Sequence, residues 1–130
     1  MSRVLVIDDE SVVGTILRYA FATDGHETVV AESGPEGIEL AHSERPDAIV
    51  LDLMMPAVTG HDVLEILRDD EETRDVPILV LTAVTLRDER ERCLSEGADA
   101  VMTKPFDPQV VARTVDALLS PGSSSGTSAD

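Results

Sequence analysis

The sequence has little positive charge and few aromatic residues, and both shortages exclude a class of function. Its 130 residues include 10 Lys plus Arg against 26 Asp plus Glu, which gives a formal net charge of −16. Because clustered Lys and Arg bind nucleic-acid phosphates, this balance argues against a general nucleic-acid binder. With one Tyr, two Phe and no Trp, the chain also lacks a row of rings on which single-stranded bases could stack.

Cysteine and long apolar runs are equally scarce. The single cysteine, Cys93, cannot form an internal disulfide, which favours a reducing compartment. The longest apolar runs are about five residues, far below the roughly 20 that span a membrane. The first residues, Met-Ser-Arg-Val, lead straight into a short apolar stretch without the pattern of a signal peptide. We therefore expect a cytoplasmic protein.

The hydrophobic content of 42% is too high for a disordered chain, and it is organised in an alternating pattern. Short apolar runs that predict strands alternate with amphipathic segments that predict helices. The strand runs are 4–7, 28–31, 48–51, 78–81 and 98–102. The helical segments are 12–21, a second that opens at 33–36, 63–67, 86–96 and 107–119. This order predicts an α/β fold, a (βα)5 doubly wound five-stranded parallel sheet of flavodoxin-like type with strand order 2-1-3-4-5. We expect residues 1–120 to form one domain and residues 121–130 a flexible Ser/Gly-rich tail or truncated linker, and we favour a single-domain protein.

Distinctive polar residues follow four of the five predicted strands. Asp8 and Asp9 follow the first run, Asp52 the third, Thr82 the fourth and Lys104 the fifth. The second strand, which lies at the edge of the predicted sheet, is followed by Glu32, which adds nothing distinctive to this group. Ligands of open α/β sheets bind outside the carboxyl ends of the strands, so we expect these side chains to share one site.

The chemistry of this group suits a phosphoryl group. Close carboxylates such as Asp8, Asp9 and Asp52 repel one another, and a hard divalent cation such as Mg²⁺ relieves that repulsion. Near such a cation, a carboxylate can attack phosphorus, while Lys104 pairs with a phosphoryl oxygen and Thr82 donates a hydrogen bond to another. Taken singly the residues have simpler explanations, because an aspartate can cap the first helix and a lysine can be a surface residue. However, Lys104 is the one lysine among ten basic residues, so mere positive charge does not explain it.

Four motifs in this order resemble the response-regulator receiver domain, the phosphoacceptor module of two-component signalling. They are Val-Ile-Asp8-Asp9-Glu10, Asp52-Leu-Met-Met-Pro with Gly60, Leu-Thr82-Ala and Thr-Lys104-Pro-Phe. Each motif alone is weak, but all four occur in order, each after a predicted strand, and the resemblance covers about residues 3–119.

The resemblance implies a role for each carboxylate. Asp52 is the expected phosphoacceptor. Asp9 and Asp52 are expected to bind Mg²⁺ directly, together with the backbone carbonyl of Met54, while Asp8 acts through water. Mn²⁺ is the alternative cation.

The resemblance also implies a switch. Lys104 is expected to contact Asp52 and the phosphoryl group, Thr82 to move toward the phosphoryl oxygen, and the Lys104–Pro105 peptide to be cis. Receivers usually carry an aromatic residue three positions before the lysine, where this chain has Val101. Because valine is short and has few rotamers, we expect a weaker or differently routed switch.

The implied function is phosphorelay signalling rather than turnover of a substrate. A histidine kinase or a histidine phosphotransfer protein supplies the phosphoryl group, and the face made by the fourth helix, fifth strand and fifth helix controls an output partner. We expect neither direct nucleic-acid binding nor membrane binding, and either a monomer or a phosphorylation-dependent homodimer. The chain would catalyse only its own phosphorylation and dephosphorylation.

Two alternatives remain open from the sequence. A Mg²⁺-dependent phosphohydrolase could use Asp52 as its nucleophile, although such enzymes commonly place an acid–base aspartate where this chain has Met54. A flavodoxin-like cofactor binder would need its phosphate loop after strand one, where the acidic residues 8–10 repel phosphate. The three histidines show no metal-ligand spacing with one another or with Cys93, so we expect loop or surface positions for them.

Overall fold

A computed structural model of the protein describes residues 2–83 and 86–120. Strands alternate with helices in the order β1 (Arg3–Ile7), α1 (Ser11–Thr23), β2 (Glu27–Ala31), α2 (Gly34–Ser43), β3 (Ala48–Asp52), α3 (Gly60–Asp69), β4 (Ile78–Thr82), α4 (Arg87–Ser95), β5 (Ala100–Thr103) and α5 (Pro108–Leu119). All neighbouring strands are parallel, and their order is β2-β1-β3-β4-β5. The predicted (βα)5 sheet is therefore confirmed. The predicted tail, residues 121–130, lies outside the described residues.

The central strands have no alternating pattern because helices cover both faces of the sheet. Every residue of β3 and β4 is buried, as are the last four residues of β1. Side chains on one face form a core cluster that includes Leu5, Ile49 and Leu67, and those on the other face form a second cluster around Phe21 and Leu79. Among the described residues, no helix is both long enough and apolar enough to cross a membrane.

The fifth strand begins later than its apolar run predicts. Residue 98 was expected in the strand, but β5 starts at Ala100. The reason is that the N–H of Ala98 donates to the carbonyl of Cys93, 3.0 Å away, and so closes the end of α4. The first residue of β5 that pairs with β4 is Ala100, which lies opposite Leu79.

Helix ends follow sequence signals, with one difference in detail. Ser33 caps α2 by accepting from the N–H of Glu36, as the Ser-Gly-Pro-Glu pattern predicts, but the Glu36 carboxylate accepts from the N–H of Glu32 rather than from Ser33. A complete reciprocal capping box occurs instead at α3, between Thr59 and Asp62. The capping role considered for the acidic pair after β1 is wrong, since the N-cap of α1 is residue 10 and its side chain makes no capping hydrogen bond.

The amphipathic spacing that predicts α1 also includes residues that face solvent. Leu17 and Phe21 are buried against the sheet, whereas Val12 is 58% exposed and Tyr19 is 80% exposed. The helix therefore has an apolar outer surface in addition to its buried face.

Candidate functional site

The predicted polar residues meet at the carboxyl ends of β1, β3, β4 and β5. A cleft of about 390 Å³ opens there, lined by Asp9, Glu10, Asp52, Met54, Ala83 and Lys104. Asp8 and Asp52 are 1% and 2% exposed, and Thr82 is equally buried at the end of β4. Because parallel strands end at the same edge of a sheet, the topology brings together residues separated by almost the whole chain.

The carboxylates of Asp8, Asp9 and Asp52 form a tight cluster. One oxygen from each lies within 4.8 Å of the others. Burial is the main reason that the pKa of Asp8 is raised, and the charge of Asp52 adds to it, whereas hydrogen bonds from the Glu10 N–H and Lys104 oppose it. Two buried carboxylates side by side are costly unless a cation compensates them.

Lys104 supplies part of that compensation. Its Nζ lies 3.0 Å from Oδ2 of Asp8 and 3.4 Å from Oδ1 of Asp52. It also lies 2.9 Å from Oε1 of Glu10, a partner that the sequence motifs do not reveal. Partial burial works against the ammonium, but the hydrogen bonds to Glu10 and Asp8 outweigh it and raise the pKa of Lys104. The ammonium is thus held as a fixed positive charge beside the carboxylates.

The donor set suits a hard divalent cation. The three clustered groups Asp8, Asp9 and Asp52 all offer carboxylate oxygens, the ligands that Mg²⁺ prefers. One ammonium facing three carboxylates leaves the cluster with excess negative charge for an ion to neutralise. Met54, whose carbonyl is the expected third protein ligand, lines the same cleft, and its N–H donates to Oδ1 of Asp52 at 3.2 Å.

The loop after β3 is shaped to hold Asp52 in place. The N–H of Gly60 donates to the carbonyl of Leu53 at 3.1 Å, which packs the start of α3 against the end of the strand. A Cβ at Gly60 would lie 2.5 Å from the Cα of Leu53 and 2.6 Å from the carbonyl oxygen of Asp52. Ala57, in the same loop, has a φ of 66°, a left-handed conformation that favours glycine. The sequence shows the glycine in the motif, but only the structure shows how close the two backbones lie.

The predicted switch residues lie side by side on β4 and β5. Thr82 is paired with Thr103, and the N–H of Lys104 donates to the Thr82 carbonyl at 2.8 Å. Val101 is buried in β5, and its carbonyl accepts from Nη1 of Arg90 on α4 at 2.8 Å. The Lys104–Pro105 peptide bond is cis.

The expectation of ordinary loop or surface histidines is wrong for His61. This residue lies in the first turn of α3 and contacts Glu89 and Glu96, and one atom each of His61, Glu89 and Cys93 could ligate a common ion. Sequence spacing could not reveal the group because its members come from two helices. Cys93 itself is a free, buried cysteine.

Comparison with known proteins agrees with this geometry. The family model described as "Response regulator receiver domain" matches residues 4–116. The alkaline phosphatase synthesis transcriptional regulatory protein PhoP of Bacillus subtilis is 39% identical over 117 residues, covering 90% of this chain and 48% of its own. The polar-differentiation response regulator DivK of Brucella ovis is 31% identical over 116 residues, covering 89% of this chain and 94% of its own.

Solved structures show the same architecture. The Francisella response regulator 1452 receiver domain superposes with a TM-score of 0.85 and 31% identity, covering 92% of this chain and 97% of that one. The chain spans about half the length of the first curated relatives that it matches.

Proposed function

This chain belongs to the response regulator receiver family of two-component systems, and on that premise we propose that it carries a phosphoryl group on Asp52. A histidine kinase or histidine phosphotransfer protein supplies the group, with Mg²⁺ bound at the carboxylate cluster. The observation that carries the proposal is a buried carboxylate, Asp52, with Asp8, Asp9 and Lys104 around it at the floor of an open cleft.

Asp52 acts as the nucleophile. A bond forms between a carboxylate oxygen of Asp52 and phosphorus, while the bond from phosphorus to the donor imidazole nitrogen breaks and that nitrogen keeps the electron pair. Mg²⁺, when bound, supplies positive charge that offsets the phosphoryl oxygens and the carboxylates. Asp9, Asp52 and the carbonyl of Met54 would hold it directly, and Asp8 through water. Mn²⁺ could take the same place.

Lys104 and Thr82 respond to the new charge. The ammonium of Lys104, already 3.4 Å from Asp52, is in position to pair with a phosphoryl oxygen. Thr82 ends the neighbouring strand, where its hydroxyl can donate to a second oxygen. These contacts exist only in the phosphorylated form, so they shift the equilibrium between conformations of the domain.

The donor docks on the apolar outer surface of α1. A second cleft, lined in part by Val12, Ile16, Phe106 and Pro108, shares Glu10 and Lys104 with the phosphorylation cleft. A donor helix that lays an apolar stripe on this surface would bring its phosphohistidine to the mouth of the acidic cleft. This continuity supports a helical histidine-bearing donor as the occupant.

The output face comprises α4, β5 and α5. Among the residues of α4, Cys93 is the one that is buried, so few core contacts oppose a shift of this helix. The Arg90 side chain donates to the backbone carbonyl of Val101, which ties α4 to β5 without using the side chain of residue 101. We therefore expect the switch to act through this contact rather than through an aromatic side chain at residue 101.

We place this function in the cytoplasm, acting on a protein partner or on a second copy of the chain. The net charge of −16 opposes direct contact between this domain and nucleic acid. The domain would turn over no small substrate, catalysing only its own phosphorylation and dephosphorylation. The alternative phosphohydrolase needs an acid–base group beside the nucleophile, and the residue two positions after Asp52 is Met54, which cannot exchange a proton.

The experiment is phosphorylation of the full chain by acetyl phosphate, followed by intact-mass spectrometry. We expect a mass increase of one phosphoryl group that requires Mg²⁺ and is lost in Asp52→Asn. Asp69→Asn, which removes an exposed carboxylate from the last turn of α3, is the matched control and should be phosphorylated like the wild type. Phosphorylation of Asp52→Asn at the wild-type rate would overturn the assignment.

A further inference from the structure

The junction of α3 and α4 holds a group of metal-ligating side chains that the proposed function does not use. His61 lies in the first turn of α3, while Glu89 and Cys93 are four residues apart on α4 and so lie on one face of that helix. One ligand atom from each of the three lies within 4.8 Å of the others. Glu96 completes the group from the C-cap of α4.

The imidazole of His61 lies between two carboxylates. Nε2 is 2.7 Å from Oε2 of Glu89, and Nδ1 is 2.5 Å from Oε1 of Glu96. A neutral imidazole can donate through one nitrogen only, so it satisfies one of these contacts, and the other needs a second proton or a metal ion. Glu96 is itself held by Nε of Arg92 at 3.0 Å. Burial opposes ionisation of Glu96, but the hydrogen bonds from His61 and Arg92 lower its pKa.

We propose that these side chains form a Zn²⁺ site, with Nε2 of His61, a carboxylate oxygen of Glu89 and Sγ of Cys93 as ligands. Nitrogen, oxygen and sulfur are the donors that Zn²⁺ accepts in proteins, and three protein ligands leave a fourth position for water. A thiolate ligand selects against Mg²⁺ and Ca²⁺, which prefer oxygen. This site is therefore chemically distinct from the all-carboxylate cluster at the phosphorylation cleft.

Glu96 acts as a positioning residue. Histidine ligands in proteins usually donate their other ring N–H to a carboxylate, which sets the tautomer and the orientation of the ring. The contact from Nδ1 to Glu96 is that arrangement, and it leaves Nε2 facing Glu89.

The burial of the group also suits a bound ion. Cys93 is fully buried at the back of the site, whereas the side chains of His61 and Glu89 are 17% and 22% exposed. An ion can therefore enter from the surface and reach the sulfur last, replacing the thiol proton, which passes to solvent. Bound Zn²⁺ would clamp α4 to α3. Because α4 belongs to the proposed output face, occupancy would restrict the helix that phosphorylation moves.

The test is titration of the full chain with Co²⁺, the spectroscopic substitute for Zn²⁺, in millimolar Mg²⁺ and a non-chelating reductant. Mg²⁺ occupies the carboxylate cluster, and a parallel titration of Asp9→Asn controls for that site. We expect a near-ultraviolet thiolate-to-cobalt band and the intense visible bands of a four-coordinate ion, saturating at about one ion per chain and removed by Zn²⁺.

Variants at the site separate ligation from packing. Cys93→Ala should lose the charge-transfer band, and Glu96→Gln should weaken binding roughly 10–100-fold while leaving the band's position unchanged. His61→Gln should lose the tight binding, whereas His42→Gln, which changes another histidine paired with a carboxylate, should bind like the wild type. Circular dichroism of each variant confirms its fold. Absence of the thiolate band from the wild type, or wild-type affinity in folded His61→Gln, would overturn the proposal. Neither result would affect the assignment of Asp52, which the phosphorylation experiment tests separately.

Discussion

Replacing Asp9 with asparagine should make the protein more stable without Mg²⁺ and less responsive to it. Asp9 is exposed and belongs to a cluster in which its carboxylate lies within 4.8 Å of those of Asp8 and Asp52. At that distance and an effective dielectric constant of about 20, each pair of carboxylates repels by about 3.5 kcal/mol. Lys104 pairs with both Asp8 and Asp52 and so offsets part of their repulsion of Asp9. Solvent around Asp9 screens the remainder to about 1 kcal/mol.

The assay is urea unfolding of wild type and Asp9→Asn with and without Mg²⁺. In the absence of the ion, we expect the variant to exceed the wild type by about 1 kcal/mol in the free energy of unfolding. At a Mg²⁺ concentration about a hundred times Kd, the wild type should gain about 2.7 kcal/mol. The variant lacks a ligand and should gain much less, so the order of stability reverses.

Glu39→Gln is the matched control for this experiment. Glu39 is exposed on α2, and its replacement removes the same unit of charge without touching the cleft. Its response to Mg²⁺ should equal that of the wild type. If Asp9→Asn is less stable than the wild type without Mg²⁺, the assumed repulsion does not exist. If it gains as much as the wild type from the ion, Asp9 is not a ligand.

Three further substitutions test the loop that holds Asp52 in place and a histidine that stabilises the fold. Ala57→Gly removes a left-handed backbone cost of about 1–2 kcal/mol and adds a glycine entropy cost of about 0.5–1 kcal/mol. Urea unfolding should therefore show a gain between zero and about 1.5 kcal/mol, and a loss would contradict the strain. Gly60→Ala forces a Cβ to 2.5 Å from the backbone at the end of β3. We expect the free energy of unfolding to fall by about 1–3 kcal/mol and phosphorylation by acetyl phosphate to slow. Wild-type stability would show that the close approach is tolerated. The pKa of His42 is raised, first by its hydrogen bond to the Ile38 carbonyl and then by Asp70. Protonated His42 therefore stabilises the fold fully below the unfolded pKa of about 6.5, and this stabilisation is lost as the pH rises through the folded pKa. The deficit of His42→Gln in urea unfolding should therefore be larger at about pH 5.5 than at about pH 9, and an equal deficit at both would refute the linkage.

The sheet and the phosphorylation cleft are predictable from the sequence because both depend on strand ends. Buried parallel strands are short uninterrupted apolar runs, and the polar residue that follows each run marks the ligand-binding edge. Asp8, Asp52 and Lys104 could be placed together from topology alone. The boundary of β5 could not, because a helix-end hydrogen bond to Cys93 takes up the N–H of Ala98.

Contacts between helices are the part that the sequence does not reveal. His61 on α3 reaches across to Glu89 on α4 and to Glu96 at its C-cap, and no spacing along the chain records that contact. The sequence also does not reveal the ion pair between Lys104 and Glu10, because both residues belong to recognised motifs but Glu10 has no expected role in its own. Helical periodicity likewise cannot show that the side chain of Val12, one of the apolar residues of α1, is exposed to solvent.

The most direct measurement is the chemical identity of the phosphorylated residue after transfer from a phosphorylated histidine phosphotransfer protein. Borohydride reduces an aspartyl phosphate to homoserine, and peptide mass spectrometry then locates the converted position. We predict homoserine at residue 52 and unmodified aspartate at residues 8 and 9. Homoserine at residue 8 or 9, or complete absence of conversion in a chain that accepts phosphate, would contradict the assignment of Asp52 as the phosphoacceptor.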